Sequence, residues 1–356
     1  MVPRPVDPVT TAVVNRDRQR SIAQMTKRAI SLAFLAFSAF VTSAGCDTQA
    51  TSVAPPTRPF IVVANQRSGV ATMVELSTGR VSHVELGARP HEVAVSPDGS
   101  VAVLTIPSET FGASRKVMVL DIATAKVART ITLDDYRQPH GIAFISDSIA
   151  LIGTLGGTSA VYVNVRSGQI ERAVEGLPAN PYVIRIAGNG RAYVSSPHSS
   201  MVSEIDVASG QLLRTISIPD DPAGIAITAD GKELFAAVWR DKIGGGIAIY
   251  DVDKGSVVSK LPATQPRRLA VTTDGRFIVA SDRDHLRIIE RSTREVRSVD
   301  TGANGGGSGV DCSPDSTRCY VALIEAGEIV EVDIIAGIVT RRFIAQRGVD
   351  GLAYVR

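Results

Sequence analysis

The sequence predicts an all-β chain: a seven-bladed β-propeller of four-stranded antiparallel blades, closed by pairing of the C-terminal strand with the first blade. Three observations carry this expectation. A unit recurs along the chain at spacings of 49, 42, 41, 44 and 41 residues, measured between its turn residues, five aspartates and Asn189. Within each unit apolar and polar residues alternate with the period of two that marks strands. The two ends of the chain read as complementary parts of one unit. Repeats of this length, built from short strands, close into propellers or stack as solenoids.

The unit has a fixed grammar. Its first hairpin reads "VAVSPDGSVAVLT" around Asp98, "IAFISDSIALIGT" around Asp147 and "IRIAGNGRAYVSS" around Asn189. It returns as "IAITADGKELFAAV" around Asp230, "LAVTTDGRFIVAS" around Asp274 and "VDCSPDSTRCYVAL" around Asp315. A third strand follows, ending in a hydrophobic residue plus a polar one: Val74-Glu75, Leu120-Asp121, Val163-Asn164, Ile205-Asp206, Tyr250-Asp251, Ile289-Glu290 and Val332-Asp333. In five units a glycine stands four residues on, at Gly79, Gly168, Gly210, Gly255 and Gly337, where a turn needs positive φ. A fourth strand completes the unit.

Seven third-strand endings face only six first-hairpin turns, and the termini account for the difference. The repeat region opens with "PFIVVANQRSGVATMVELSTG", a blade without its first strand, and the chain ends with "GVDGLAYVR", a first strand without its blade. Joining them completes the seventh blade and leaves no free sheet edge.

The units resemble the YVTN-type (surface-layer-like) seven-bladed propeller repeats, across residues 59–356. The stretches "PAGIAITADGKELFAAV" and "SEIDVASGQLLRTISI" carry the resemblance best, while the Tyr-Val-Thr-Asn strand survives only as variants such as "RAYVSS", "RCYVAL" and "FIVVAN". With a single tryptophan the chain has neither the Trp-Asp blade ends of WD40 repeats nor the tryptophan docking of quinoprotein blades. The resemblance implies a fold. Function has to be argued from the site, because this scaffold hosts binding proteins, lactonases and electron-transfer subunits alike.

Ahead of the repeats, "MTKRAISLAFLAFSAFVTSAGC" (residues 25–46) has the parts of an export signal. Lys27 and Arg28 precede an apolar run of 13 residues, Ala29 to Val41, and a small-residue box ends at Cys46. The ending resembles the bacterial lipoprotein signal, which implies lipidation of Cys46. Ser43 stands where that family prefers leucine, so ordinary cleavage after Ala44 stays open. The expected organisation is an over-extended start over 1–24, a signal peptide over 25–45, a tether over 46–58 and the propeller over 59–356. The expected location is the periplasm or cell envelope, anchored to a membrane at Cys46.

Residues 1–45 hold six of the 38 basic residues and two of the 36 acidic ones. That leaves 32 against 34 and a net charge of −2 for the remainder. Such a surface, with 5% aromatic residues, offers nucleic acid little counter-charge or stacking, so no nucleic-acid partner is expected.

In a propeller, the loops from each outer strand to the next inner strand share one rim with the loops joining second to third strands. Placed by repeat position, His91, His140, Tyr182, Arg267, Arg268 and Asp350 start inner strands. His198, Trp239, Arg240, Asp282 and His285 fall at or near the second-to-third loops on the same rim, with Arg283 beside them. Four of the five histidines and the only tryptophan map there. Imidazoles at His91 and His140 suit a metal or polarised ligand, and the Arg267–Arg268 pair suits an anion. The plainer alternative is that these histidines bond backbone at the strand entries. Two histidines without a third ligand make no metal site, so no metal and no cofactor is assigned.

Catalysis stays undecided. A lactonase-like hydrolase is the enzyme alternative, since seven-bladed phosphogluconolactonases use a similar scaffold, but no lactonase motif is matched residue by residue. "TGANGGGSGV" lacks the Lys-Ser/Thr ending and the following helix of a phosphate loop. There is no CxxCH, HExxH or GxSxG motif. The expected function is a monomeric binding or scaffold module for an envelope protein or small ligand, with a redox-partner subunit as a further alternative. Cys312 and Cys319 flank a turn symmetrically, and an exported compartment permits a cross-hairpin disulfide between them.

Overall fold

Alternating runs such as "FIVVAN" and "VATMVE" bury every side chain but Phe60, because each sheet packs another blade against both faces. The period of two decides which neighbour a side chain meets. Val62, Ala64 and Met73 join Leu104 and Leu120 of the following blade. Ile61, Val63 and Val74 join Tyr320, Ala322 and Ile329 of the preceding one. Seven such apolar clusters fill the seven spaces between blades.

The computed structural model describes residues 59–109, 112–238, 245–283, 285–302 and 306–355. Among these, 28 strands form seven four-stranded sheets. Each sheet is antiparallel, and the C-terminal strand Val349–Val355 pairs with Phe60–Asn65 to close the ring. We number the blades from that composite one, so that the second spans residues 93–132 and the seventh 307–344. The expected signal segment, the tether and Cys46 lie outside the described residues.

The sequence grammar corresponds to structure. All seven third strands end at the expected residue, from Glu75 to Asp333. In five blades that residue's side chain accepts the backbone N–H three residues on, for example Ser209 to Asp206 at 2.8 Å. Four residues on, the chain turns with positive φ. The five glycines do so at 66–85°, and in the two blades without glycine, Ala125 and Arg294 adopt 52° and 64°.

The turn acids of the first hairpin are staples of the same kind. Asp98, Asp230, Asp274 and Asp315 each accept a hydroxyl two residues before and a backbone N–H two residues after. Cys312 pairs directly with Cys319 in the register, their Cα atoms 4.0 Å apart, and the two form a disulfide.

The inner strands come in two kinds. Blades one, three, five and seven have inner strands of six or seven residues with a bulge near Gly351, Gly141, Gly224 and Gly309. A Cβ on any of these glycines would sit less than 3.0 Å from the neighbouring inner strand's backbone. Blades two, four and six have inner strands of only three residues. At the register where the first kind has glycine, these carry Glu92, Val183 and Arg268.

Candidate functional site: the central channel

Where the inner strands begin, side chains touch from blade to blade around the ring. Ser308 Oγ donates to Asp350 Oδ1 at 2.5 Å, and Asp350 Oδ2 lies 3.3 Å from His91 Nε2. The His91 and His140 rings are 4.3 Å apart, and His140 stacks on Tyr182 at 4.1 Å. His140 Nδ1 is 2.8 Å from the Tyr182 carbonyl. Four adjacent blades thus bring His91, His140, Tyr182 and Asp350 together.

Electrostatics separates the two histidines. Burial pulls the His91 ring down, but the carboxylates of Asp350 and Glu92 outweigh it and hold its pKa above the ordinary value. Burial, aided by the charge of His91, pushes His140 well below its usual range and keeps that ring neutral.

One residue further along the strands an ion pair crosses the channel. Arg268 of blade six donates through Nε to Glu92 Oε1 of blade two at 3.0 Å, and its Nη2 donates to the same oxygen. Both side chains are deeply buried, and the guanidinium lies 5.1 Å from the Tyr182 ring centroid. Burial alone would raise the Glu92 pKa, but Arg268 holds it well below the carboxylate range. Arg268 therefore comes with its counter-ion already in place.

Beyond this pair, away from the histidines, lies a cavity of about 450 Å3, lined by the inner strands from Glu92 and Arg268 down to the Ser96–Pro97 turn. Its wall includes a ring of small residues at one register position: Ala94, Ala226, Ala270 and Ala353. Two blades depart from that rule, with Arg185 in blade four and Asp311 in blade seven. Asp311 accepts the backbone N–H groups of Cys312 and Tyr354, each at 2.9 Å. Among the described residues Arg185 hydrogen-bonds backbone carbonyls alone, Ile184 at 2.9 Å and, more loosely, Leu269 at 3.5 Å.

The remaining sequence-predicted residues do not join this cluster. His198 sits in a short 3-10 turn, Pro197–Ser199, with Nδ1 2.9 Å from Asn180 Oδ1. Asp282 is a loop staple: it accepts backbone N–H groups of Thr264, Gln265 and Arg283, and Nε of Arg287. His285 opens the third strand of blade six, and the Arg267 guanidinium lies beside Gly306, in the field of Glu325. Trp239 and Arg240 lie outside the described residues.

The repeat reading missed Glu92 and Arg185. Both were visible as exceptions: Glu92 is charged where four blades have glycine, and Arg185 where five have alanine.

No family model matches the chain. It is 29% identical over 140 residues to the uncharacterized protein YncE of Salmonella typhi, a match covering 36% of this chain and 37% of that one. It is 26% identical over 178 residues to actin-interacting protein 1 of Caenorhabditis elegans, covering 48% of this chain and 28% of that one. The matches thus span about a third of these relatives' lengths. Among solved structures, hydrazine synthase of Kuenenia stuttgartiensis superposes with a TM-score of 0.64 at 19% identity, covering 73% of this chain and 87% of that one. A functionally unknown protein from Desulfotomaculum acetoxidans superposes with 0.69 at 15% identity, covering 83% and 99%. At such identities the structural likeness speaks for the fold alone.

Proposed function

We propose that this chain is an exported, membrane-tethered propeller of the YVTN type that binds a small anionic ligand in its central channel, with Arg185 as the anchor. The propeller fold is compatible with a binding or scaffold role. The observation that carries the reading is Arg185: its guanidinium faces the cavity, and no described carboxylate lies within 4.0 Å of it. Burial, with repulsion from Arg268, outweighs the attraction of Glu92 and Asp311, and its pKa is lowered. A cation left short of counter-charge in a low-dielectric channel is a binding site for a carboxylate or phosphate, which guanidinium matches with paired N–H donors.

The test is a thermal-shift series on wild type and Arg185→Met with phosphate, succinate and citrate. Wild type should be stabilised by at least one anion and the variant by none. Equal shifts in both proteins would reject Arg185 as the anchor.

The export reading is supported by the segment Met25 to Cys46 and has its own test. Mass spectrometry of the mature protein should find diacylglyceryl-modified Cys46 at the N-terminus. A free Gly45 terminus would mean plain secretion instead.

A further inference from the structure

At the channel mouth, His91, His140 and Glu92 each bring a potential ligand atom close to the other two. His140 Nδ1 faces the Tyr182 carbonyl, which can only accept, so that nitrogen carries the proton and Nε2 is left basic. His91 Nε2 lies 3.3 Å from Asp350 Oδ2, a carboxylate beside it that favours the proton on Nε2 and leaves Nδ1 for a ligand. That Nδ1 is buried without a hydrogen-bond partner, and its distance to Glu92 Oε1, 3.7 Å, is too long for a bond. Arg268 spends both its contacts with Glu92 on Oε1, so Oε2 is not engaged by it.

We propose that His91, His140 and Glu92 bind one divalent transition-metal ion of the zinc class. Each offers a ligand atom, and these atoms lie within 4.8 Å of one another. Tetrahedral bonds of about 2.0–2.1 Å need ligand atoms about 3.3 Å apart, so binding would draw the three side chains closer together.

The surroundings are those a metal-binding histidine requires. His140 has its far nitrogen held by the Tyr182 carbonyl, which sets its tautomer and raises ligand basicity, and the far nitrogen of His91 lies 3.3 Å from the Asp350 carboxylate. Two imidazoles and one carboxylate favour zinc or its transition-metal neighbours over magnesium or calcium, which prefer all-oxygen shells. Three protein ligands leave at least one coordination position open to water or a ligand.

This site does not rest on the anion reading of Arg185, which lies on the other side of the Glu92–Arg268 pair. The competing occupant is a proton on His91 Nδ1, directed toward Glu92.

The experiment uses the full chain, stripped with chelator and titrated with Co2+, a spectroscopic substitute for Zn2+. The expected result is one equivalent per chain, with the intense visible ligand-field bands of a four- or five-coordinate ion, displaced by Zn2+. The variant His140→Ala should lose the bands and weaken binding more than tenfold, while His198→Ala, on the same rim, should keep both. Absence of the bands in folded wild type, or equal binding by wild type and His140→Ala, overturns the proposal. If His140→Ala does not fold, His140→Gln takes its place, and the wild-type spectrum by itself remains able to reject the site.

Discussion

Arg268 and Glu92, 176 positions apart in sequence, are joined across the central channel by two hydrogen bonds to a single carboxylate oxygen. They come from blades that are not neighbours in the ring, so this bond ties together parts of the propeller that stacked blades leave independent. It also separates the histidine cluster from the cavity. Removing one partner leaves a buried charge without compensation, whereas removing both leaves neither charge of the pair behind.

Arg268→Met should therefore destabilise the fold by about 3–5 kcal/mol in urea unfolding, the range for breaking a buried pair. The double variant Glu92→Gln/Arg268→Met should recover most of that loss. If the double variant is as unstable as the two single losses combined, the residues act independently and the crossing bond contributes nothing specific.

The hairpin staples make stability acid-sensitive. Asp98 and Asp274 are desolvated and Asp230 and Asp315 less so, yet hydroxyl and backbone donors hold all four below the ordinary aspartate value. A carboxyl depressed in the folded state contributes stability above its unfolded pKa, about 3.9, and loses that contribution as pH falls toward the folded value. The urea midpoint should fall as the pH is lowered from about 5 to about 2.5. Replacing the four aspartates by asparagine should flatten that dependence. An unchanged slope would place the acid sensitivity elsewhere.

How far the sequence reaches is set by what repeats. Seven third-strand endings, the six first hairpins and the split first blade are legible because each blade solves the same backbone problem with the same residues. The rim histidines are placed by the same logic. What the repeat hides is the individual side chain that crosses the channel. Glu92 stands next to His91 in sequence, but its partner Arg268 lies four blades later, and no local pattern connects them. Asp282 shows the converse: its place on the rim suggests a ligand contact, but its four donors make it a loop staple. Burial and partner count, which decide between those roles, are properties of the closed ring.

The Cys312–Cys319 disulfide closes a loop of eight residues, counting both cysteines, in the last full blade. Chain entropy assigns so short a loop about 2–3 kcal/mol, less any strain. Cys312→Ser/Cys319→Ser should unfold at lower urea by an amount within that range, and wild type under reductant should match it. A reduced wild type as stable as the oxidised one would mean the bond staples a hairpin that the sheet already fixes.

Two glycine positions should respond to substitution with opposite sign. Ala125 occupies the turn position that five blades give to glycine, and its φ of 52° crowds the Cβ against the backbone. Ala125→Gly relieves that conflict at the expense of a freer unfolded chain, for a net gain of about 0.5 kcal/mol. Gly224 has ordinary φ, but its Cβ position is occupied by the Arg267 carbonyl of the next inner strand. Backbone cannot step aside there without moving Arg268, so Gly224→Ala should cost about 1–3 kcal/mol, as overpacking does. It should also disturb the Arg268–Glu92 bond, which begins one residue from the clash. Thermal unfolding of both variants reads the sign directly. A stabilised Gly224→Ala would mean the inner strands are not packed backbone to backbone, and the channel would then be wider than the cavity described above.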